Sequence, residues 1–364
     1  MSLVLRVDGE RWRAHLTGVR ARRPLVVPVA KGNGYGLGLA RLARKAQWLG
    51  VDTLAVGIYE ELPHVSQRYD GSLLVMTPWR SFNGLPEDQL SARVIHTVGR
   101  LEELEALAAH GRTSGHRPRV VLERLTSMRR HGFSAPDLRA ASRVVREQGG
   151  VVLEGVALHL PLVRASHLPE VERLLQDVVA ADLGRGLDKL DQRSGPTTIW
   201  VSHLGDEDLA SLARRWPELI FRPRMGTDLW LGDRGALAVR STVLDAHPVE
   251  RGDTYGYRGR SAPRAGTILI VSGGTSHGIG LEAPTGEQSL KSRAASIARG
   301  GLDAAGFVRS PFTVGGKQRL FAEPPHMQAS MLFLPAGSDV PAVGEEIEVR
   351  VRFTATDVDR VVLS

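Results

Sequence analysis

The sequence predicts an α/β barrel of the (β/α)8 type followed by an all-β domain. Two observations carry this. Eight short apolar runs recur with helix-length amphipathic stretches between most of them, and the texture of the chain changes after Asp233. Eight strand–helix units over about 210 residues match such a barrel in number and size.

The strand candidates are Leu25–Ala30, Thr53–Gly57, Leu73–Met76, Val94–Val98, Arg119–Leu122, Val152–Leu158, Thr198–Val201 and Leu219–Phe221. Each is a short, mostly apolar run bounded by polar or turn residues, as expected for parallel strands of a barrel. The intervening helices are read from a spacing near 3.6. Leu39, Leu42, Ala43, Ala46 and Leu49 form one apolar stripe, and Leu101–His110, Ala135–Gln148, Pro169–Leu183 and Asp206–Trp216 supply others. Beyond Asp233 the runs shorten and alternate: Leu237–Leu244, Gly266–Val271, Met331–Leu334 and Glu346–Phe353. Glu250-Arg251-Gly252-Asp253, Ser272-Gly273-Gly274 and Pro335-Ala336-Gly337 punctuate them as turns. The expected domains are 9–233 and 234–364, with the alternating segment 2–7 a candidate to join the second.

Composition narrows the class. No stretch approaches the 18 or so apolar residues of a membrane span, and residues 1–8 lack a basic segment leading into a long apolar one. The absence of cysteine excludes disulfides, thiolate metal sites and thiol nucleophiles. A soluble cytoplasmic protein is expected. Basic residues outnumber acidic ones 47 to 40, net +7. The excess is scattered and aromatics are only 5%, so a solvated basic surface is preferred to nucleic-acid binding. Most of the excess is arginine. Lysine occurs only at Lys31, Lys45, Lys189, Lys291 and Lys317.

Lys31 ends the first apolar run, and Gly32-Asn33-Gly34-Tyr35-Gly36-Leu37-Gly38 leads from it into a helix. Active sites of such barrels lie at the C-terminal ends of the strands. Burial there would favour the neutral, nucleophilic amine, and the glycines would let backbone approach a ligand. A lysine snorkelling beside a Gly-rich turn satisfies the same spacing.

The segment Ala30-Lys31-Gly32-Asn33-Gly34-Tyr35-Gly36-Leu37-Gly38 resembles the lysine motif of the alanine racemases, enzymes that bind pyridoxal 5'-phosphate (PLP) in a (β/α)8 barrel followed by a β-domain. Further segments resemble the family in the same order. Ser127-Met128-Arg129-Arg130-His131-Gly132-Phe133 places Arg130 on the arginine that meets the cofactor's phenolic oxygen and the substrate carboxylate. Glu154–His159 places His159 beside the pyridine ring, and Ile199-Trp200-Val201-Ser202 places Ser202 on the phosphate. Arg224-Met225-Gly226-Thr227-Asp228-Leu229-Trp230 places Arg224 at the pyridine nitrogen, with backbone N–H groups of Gly226 and Thr227 on the phosphate. Tyr35 would also hold the phosphate. An arginine does not readily give up its proton, so Arg224 would limit the ring as an electron sink; in isolation it reads as a rim salt bridge.

In the second domain, Arg251–Tyr257 resembles the segment that carries the family's catalytic tyrosine, which enters the other subunit's site. It places Tyr255 there, with Tyr257 as the fallback; a turn tyrosine is otherwise a packing residue. His326–Met331 resembles the segment whose methionine, here Met327, touches the substrate carboxylate. The resemblance therefore implies a homodimeric amino-acid racemase with PLP as cofactor, Lys31 and Tyr255 as its two bases, no metal, and D-alanine for peptidoglycan or a specialised metabolite as product.

Departures accompany it. Glu123 stands where the family often has a carbamylated lysine, and Gln328 where it usually has aspartate. Val271–Gly280 replaces an entrance segment with a tyrosine, and Thr354–Asp359 lacks the family's C-terminal tyrosine. A differently lined mouth is expected, so a racemase or epimerase for another amino acid or a larger cell-wall precursor is the alternative, as is a PLP-binding protein without turnover. His277 either lines that mouth or bonds to loop backbone.

Overall fold

The structure, a computed structural model, describes residues 2–85, 92–162, 166–183, 196–281 and 308–364. Lys189 and Lys291 lie outside them. The chain divides into two compact units, one of parallel strands and helices (14–34 and 38–232) and one antiparallel (residues 1–13, 35–37 and 233–364).

In chain order the first elements are β1 (Leu3–Val7) and α1 (Gly9–Arg22), the latter crossing from one unit to the other. The strands of the parallel unit are β2 (Val27–Pro28), β3 (Thr53–Val56), β4 (Ser72–Val75), β5 (Val94–Val98), β6 (Arg119–Arg124), β7 (Val152–Leu158), β8 (Thr197–Val201) and β9 (Leu219–Met225). They pair in the order β2-β9-β8-β7-β6-β5-β4-β3, and a parallel bridge from Val29 to Ala55 joins the two ends. The ring is an eight-stranded parallel barrel, as the alternating pattern predicts.

Its interior is filled by Val27, Val29, Ala55, Leu74, Met76, Ile95, Val121, Ala157 and Trp200. Packing of inward side chains makes such a barrel a core rather than a pore. The Trp200 indole N–H donates to the Glu154 carbonyl at 3.0 Å, so its polar atom is satisfied inside. A second cluster, including Leu104, Leu107, Leu122, Leu138, Leu158 and Leu174, lies between strands and helices. Each such leucine contributes about 1.5–3 kcal/mol by leaving water.

The helices are α2 (Leu39–Trp48), α3 (Leu62–Ser66), α4 (Leu101–Ser114), α5 (Ala135–Arg143), α6 (Leu168–Ala180), α7 (Asp206–Arg215) and α8 (Thr227–Trp230). Ser134 caps α5, its hydroxyl accepting from Asp137 N–H at 3.3 Å, and Pro136 sits in the first turn. The expected helix over 135–148 ends earlier as α-helix: residues 144–148 form a π-turn. Three helices, α1, α3 and the short α8, are additions to the sequence reading.

The antiparallel unit contains β10 (Leu237–Val249), β11 (Thr254–Tyr255), β12 (Arg260–Ser261), β13 (Gly266–Ser272), β14 (Arg309–Val314), β15 (Lys317–Phe321), β16 (Ala329–Pro335), β17 (Glu346–Val349) and β18 (Arg360–Leu363). The large sheet runs β13-β16-β15-β14-β17-β10-β1-β18, and β13 also pairs with the long β10. That pairing closes six strands around Val243, Leu269, Phe312, Leu332, Leu334 and Val349. β1 lies between β10 and β18. The strand expected over 346–353 stops at Val349, and β11, β12, β14, β15 and β18 are additions to the sequence reading.

Candidate active site

The C-terminal ends of β2, β6, β7, β8 and β9 carry Lys31, Arg130, His159, Ser202 and Arg224 respectively, each at or just beyond its strand. Lys31 follows the Val29–Ala55 bridge. Its carbonyl accepts Gly34 N–H at 3.0 Å, which turns the chain back through the left-handed Gly32 and Gly34 (φ 58° and 62°). The residue as a whole is exposed. Partial burial lowers the pKa of its amine, Arg130 and Arg224 push the same way, and Glu61 opposes them. The direction is the one the sequence reading required.

Arg224 is buried, and its guanidinium donates to the Leu158 carbonyl at 3.2 Å. Its Nε is buried without a partner among the described residues. Burial lowers its pKa, with Arg130 acting in the same direction and Glu123 in the opposite one. Glu123 is itself buried on β6, and that burial pushes its carboxyl up to about 7 although Arg224 and Arg130 hold it down. His159 is held neutral: burial first, then Arg224 and Arg130, take its pKa far below the usual imidazole range. The His203 ring meets it edge-on at 5.8 Å. The buried Ser202 hydroxyl accepts Leu160 N–H at 3.1 Å.

Arg130 is exposed on the loop after β6. Glu170, near the start of α6, fixes that loop: its carboxylate accepts from Ser127 N–H at 2.6 Å and from the Ser127 hydroxyl at 2.8 Å. Gly226 and Thr227 form the turn from β9 into α8. Lys31, Arg130, Glu123, His159 and Arg224 are thus one electrostatically coupled cluster.

Tyr35, Tyr255 and Met327 belong to the antiparallel unit. Tyr35 is buried with φ 56°. Tyr255 is half-buried in the β11–β12 hairpin, and its hydroxyl donates to the Ala322 carbonyl at 3.3 Å. Burial raises its pKa and Glu323 adds to this, while Arg260 lowers it. Tyr257 is exposed and lies against His326, ring centroids 4.7 Å apart. Met327 is exposed, and its carbonyl accepts from the Ser276 N–H and hydroxyl at 3.0 and 2.6 Å. His277 takes the second of its two expected roles: Gly274 N–H donates to its Nδ1 at 3.2 Å and its Nε2 faces Asp359 at 3.2 Å.

Sequence reasoning missed Glu61 and His203. Glu61 shows no pattern beside Glu60. His203 directly follows Ser202, and that adjacency is the one signal that could have raised it.

The donor set fits a phosphate-bearing aromatic aldehyde. It offers an amine displaced toward its neutral form, the buried Nε of Arg224 and a second arginine at the same strand ends. A closed parallel barrel with that lysine just beyond its first strand, followed by an antiparallel all-β unit, is the layout of the class of PLP-binding barrels to which the racemases belong. The chain belongs to the alanine racemase family: residues 7–189 match the model described as "Alanine racemase, N-terminal domain". An alanine racemase of Nitratidesulfovibrio vulgaris is 26% identical over 291 residues, covering 75% of this chain and 74% of that protein. The fold is shared with the alanine racemase of Bartonella henselae, solved with covalently bound pyridoxal phosphate (TM-score 0.67, 15% identity, 98% of each chain covered). It is equally shared with a histidine racemase of Leuconostoc mesenteroides (TM-score 0.67, 17% identity, 100% and 98% covered). Among the described residues, no helix is long and apolar enough to cross a membrane.

Proposed function

We propose that this protein interconverts L- and D-alanine, with PLP held by Lys31 and with Lys31 and Tyr255 as bases on opposite faces of the substrate. The observation that carries the reading is Lys31 itself, at the end of the first barrel strand, its amine displaced toward the neutral form beside two arginines. When bound, PLP withdraws electrons from the substrate's Cα and so acidifies its hydrogen.

Tyr255 takes the Cα proton of the L-isomer while the protonated Lys31 Nζ delivers one to the opposite face, and for the D-isomer the two bases exchange roles. Arg130 and the Met327 backbone orient the carboxylate. Tyr35, Ser202 and the backbone N–H groups of Gly226 and Thr227 would hold the phosphate, and His159, kept neutral, would serve the pyridine ring. Arg224 would serve the ring nitrogen and, keeping its proton, would limit the ring as an electron sink. Glu123 stands in for a carbamylated lysine in setting Arg130. Tyr255 reaches the site from the second subunit of a homodimer, so turnover requires dimerisation.

A second reading, racemisation of another amino acid or of a larger precursor, is favoured by one observation. His277 is turned onto Gly274 and Asp359 in the segment that lacks the entrance tyrosine. The fold is compatible with both, since a similar structure is a histidine racemase.

Proton NMR in D2O with added PLP separates the readings. Loss of the Cα proton signal from both alanine isomers supports alanine racemisation by two bases. Exchange of histidine but not alanine supports the second reading. A protein that binds PLP and exchanges no amino acid has no turnover, and the proposal fails.

A further inference from the structure

We propose that Glu61 is the positioning residue of Lys31: one buried carboxylate ties the backbone at the lysine to the end of the neighbouring strand and supplies a negative charge to its surroundings. The inference rests on Lys31 as the cofactor lysine only for its catalytic meaning.

Glu61 lies in the turn after β3 and is buried. Its Oε1 accepts Gly32 N–H at 2.5 Å, and its Oε2 accepts Gly57 N–H at 2.6 Å and Ile58 N–H at 3.2 Å. Gly32 is the residue after Lys31, and Gly57 is the residue after β3. The carboxylate thus fastens together the two strand ends that close the barrel through Val29 and Ala55. Three backbone donors on one acid fix its place more firmly than one would, because charge-assisted hydrogen bonds are short and directional.

The lysine stem packs into the same joint. A Cβ placed on Gly57 would lie 3.2 Å from Lys31 Cβ and 3.1 Å from Glu61 Oε2, so the glycine leaves room for both side chains. The charged groups acting on Lys31 are Arg130 from the loop after β6, Arg224 from β9 and Glu61. His159 and His203 lie within reach of the lysine's charge as well. Glu61 is the acid in that set, and it favours the ammonium that the arginines disfavour. The amine therefore stands between opposed fields, and the residue that supplies the negative one also holds the main chain.

The test reads Lys31 directly in the cofactor-free protein. Trinitrobenzenesulfonate labels neutral amines, and peptide mass spectrometry resolves Lys31 from Lys317, an exposed reference. In Glu61→Gln the labelling midpoint of Lys31 is expected to fall by about half a pH unit or more, with that of Lys317 unchanged. Glu61→Asp keeps the charge but draws it back, so a smaller shift in the same direction is expected, and it carries the test if the glutamine variant does not fold. A Lys31 midpoint that stays at the wild-type value in a folded variant would overturn the inference. Borohydride trapping of added PLP is the separate arm. PLP found elsewhere than Lys31, with the labelling shift present, leaves the Glu61–Lys31 relation standing and removes the racemase reading.

Discussion

Glu323 and His326 form a pair beside the candidate tyrosine: Glu323 Oε1 lies 2.6 Å from His326 Nε2, and the carboxylate is only 2% exposed. The same oxygen accepts Tyr257 N–H at 3.3 Å, so the pair is bonded into the turn that carries Tyr255. A carboxylate this buried needs such partners, because unpaired it would bear the full cost of desolvation. The turn is shaped around it.

Gly256, at φ 72°, leaves space into which a Cβ would collide with the Glu323 carboxylate. Gly256→Ala is therefore expected to destabilise the protein by about 1–3 kcal/mol, combining left-handed strain with the displaced Glu323 carboxylate. Chemical denaturation of the two proteins checks this. An unchanged midpoint would mean that the carboxylate does not occupy that space.

Tyr255→Phe removes the hydroxyl while keeping the ring. Under the two-base reading, exchange of the Cα proton from L-alanine falls by about 100-fold or more, whereas exchange from D-alanine persists through Lys31. The D2O experiment on the variant reads both. Equal losses for the two isomers would assign Tyr255 a structural part instead.

Glu123 gives a pH signature. Burial raises its carboxyl to about 7 in the fold, against an ordinary 4.5 in the unfolded chain. Below pH 4.5 both states are protonated, and the acid carries no penalty. Between pH 4.5 and 7 the unfolded chain releases the proton first, so stability declines by up to about 3 kcal/mol as pH rises. Denaturation of the cofactor-free protein at a series of pH values should show this decline in wild type and its absence in Glu123→Gln.

His96 acts at the opposite end. It is fully buried on β5, its Nδ1 lies 2.8 Å from the Tyr59 hydroxyl, and burial takes its pKa from 6.5 to about 4. The folded state keeps the ring neutral while the unfolded chain binds a proton below pH 6.5. Stability is thus lost as pH falls from 6.5 to 4, by up to about 3 kcal/mol. His96→Gln should flatten that acid limb in urea titrations.

Gly155 interrupts β7 at φ 126°, beside the register shift between Val120 and Val121 of β6. A Cβ there would press on the Thr198 carbonyl of β8. Gly155→Ala should cost about 2–3 kcal/mol, visible as a lower Tm.

The barrel strands were legible because parallel strands buried on both faces read as short, mostly apolar runs, unbroken in Leu73–Met76 and interrupted only by His96 and Thr97 in Val94–Val98. Lys31 was legible because a lysine ending such a run is chemically out of place. The helix over Gly9–Arg22 was not: Trp12, Leu16 and Val19 are its fully or nearly fully buried stripe, but arginines crowd the positions between them. β14 was hidden for a related reason. Its sequence Arg-Ser-Pro-Phe-Thr-Val carries a proline, and its buried positions include Ser310, whose hydroxyl donates to the Arg319 carbonyl at 2.8 Å. Glu61 was illegible in principle. Its three donors come from residues 29 positions before it and three or four before it, and only barrel closure brings them to one carboxylate.

The placement of β1 imposes an order on biosynthesis. Its five residues precede every strand of the barrel in the chain, yet their partners are residues 237–241 and 360–363. The strand therefore stays without these partners until the barrel sequence between them has been made, and its second neighbour comes more than a hundred residues after its first. Residues 14–232 can complete their parallel ring cotranslationally; the antiparallel sheet cannot. A ribosome stalled before residue 360 would hold a finished barrel with an open sheet edge at β1.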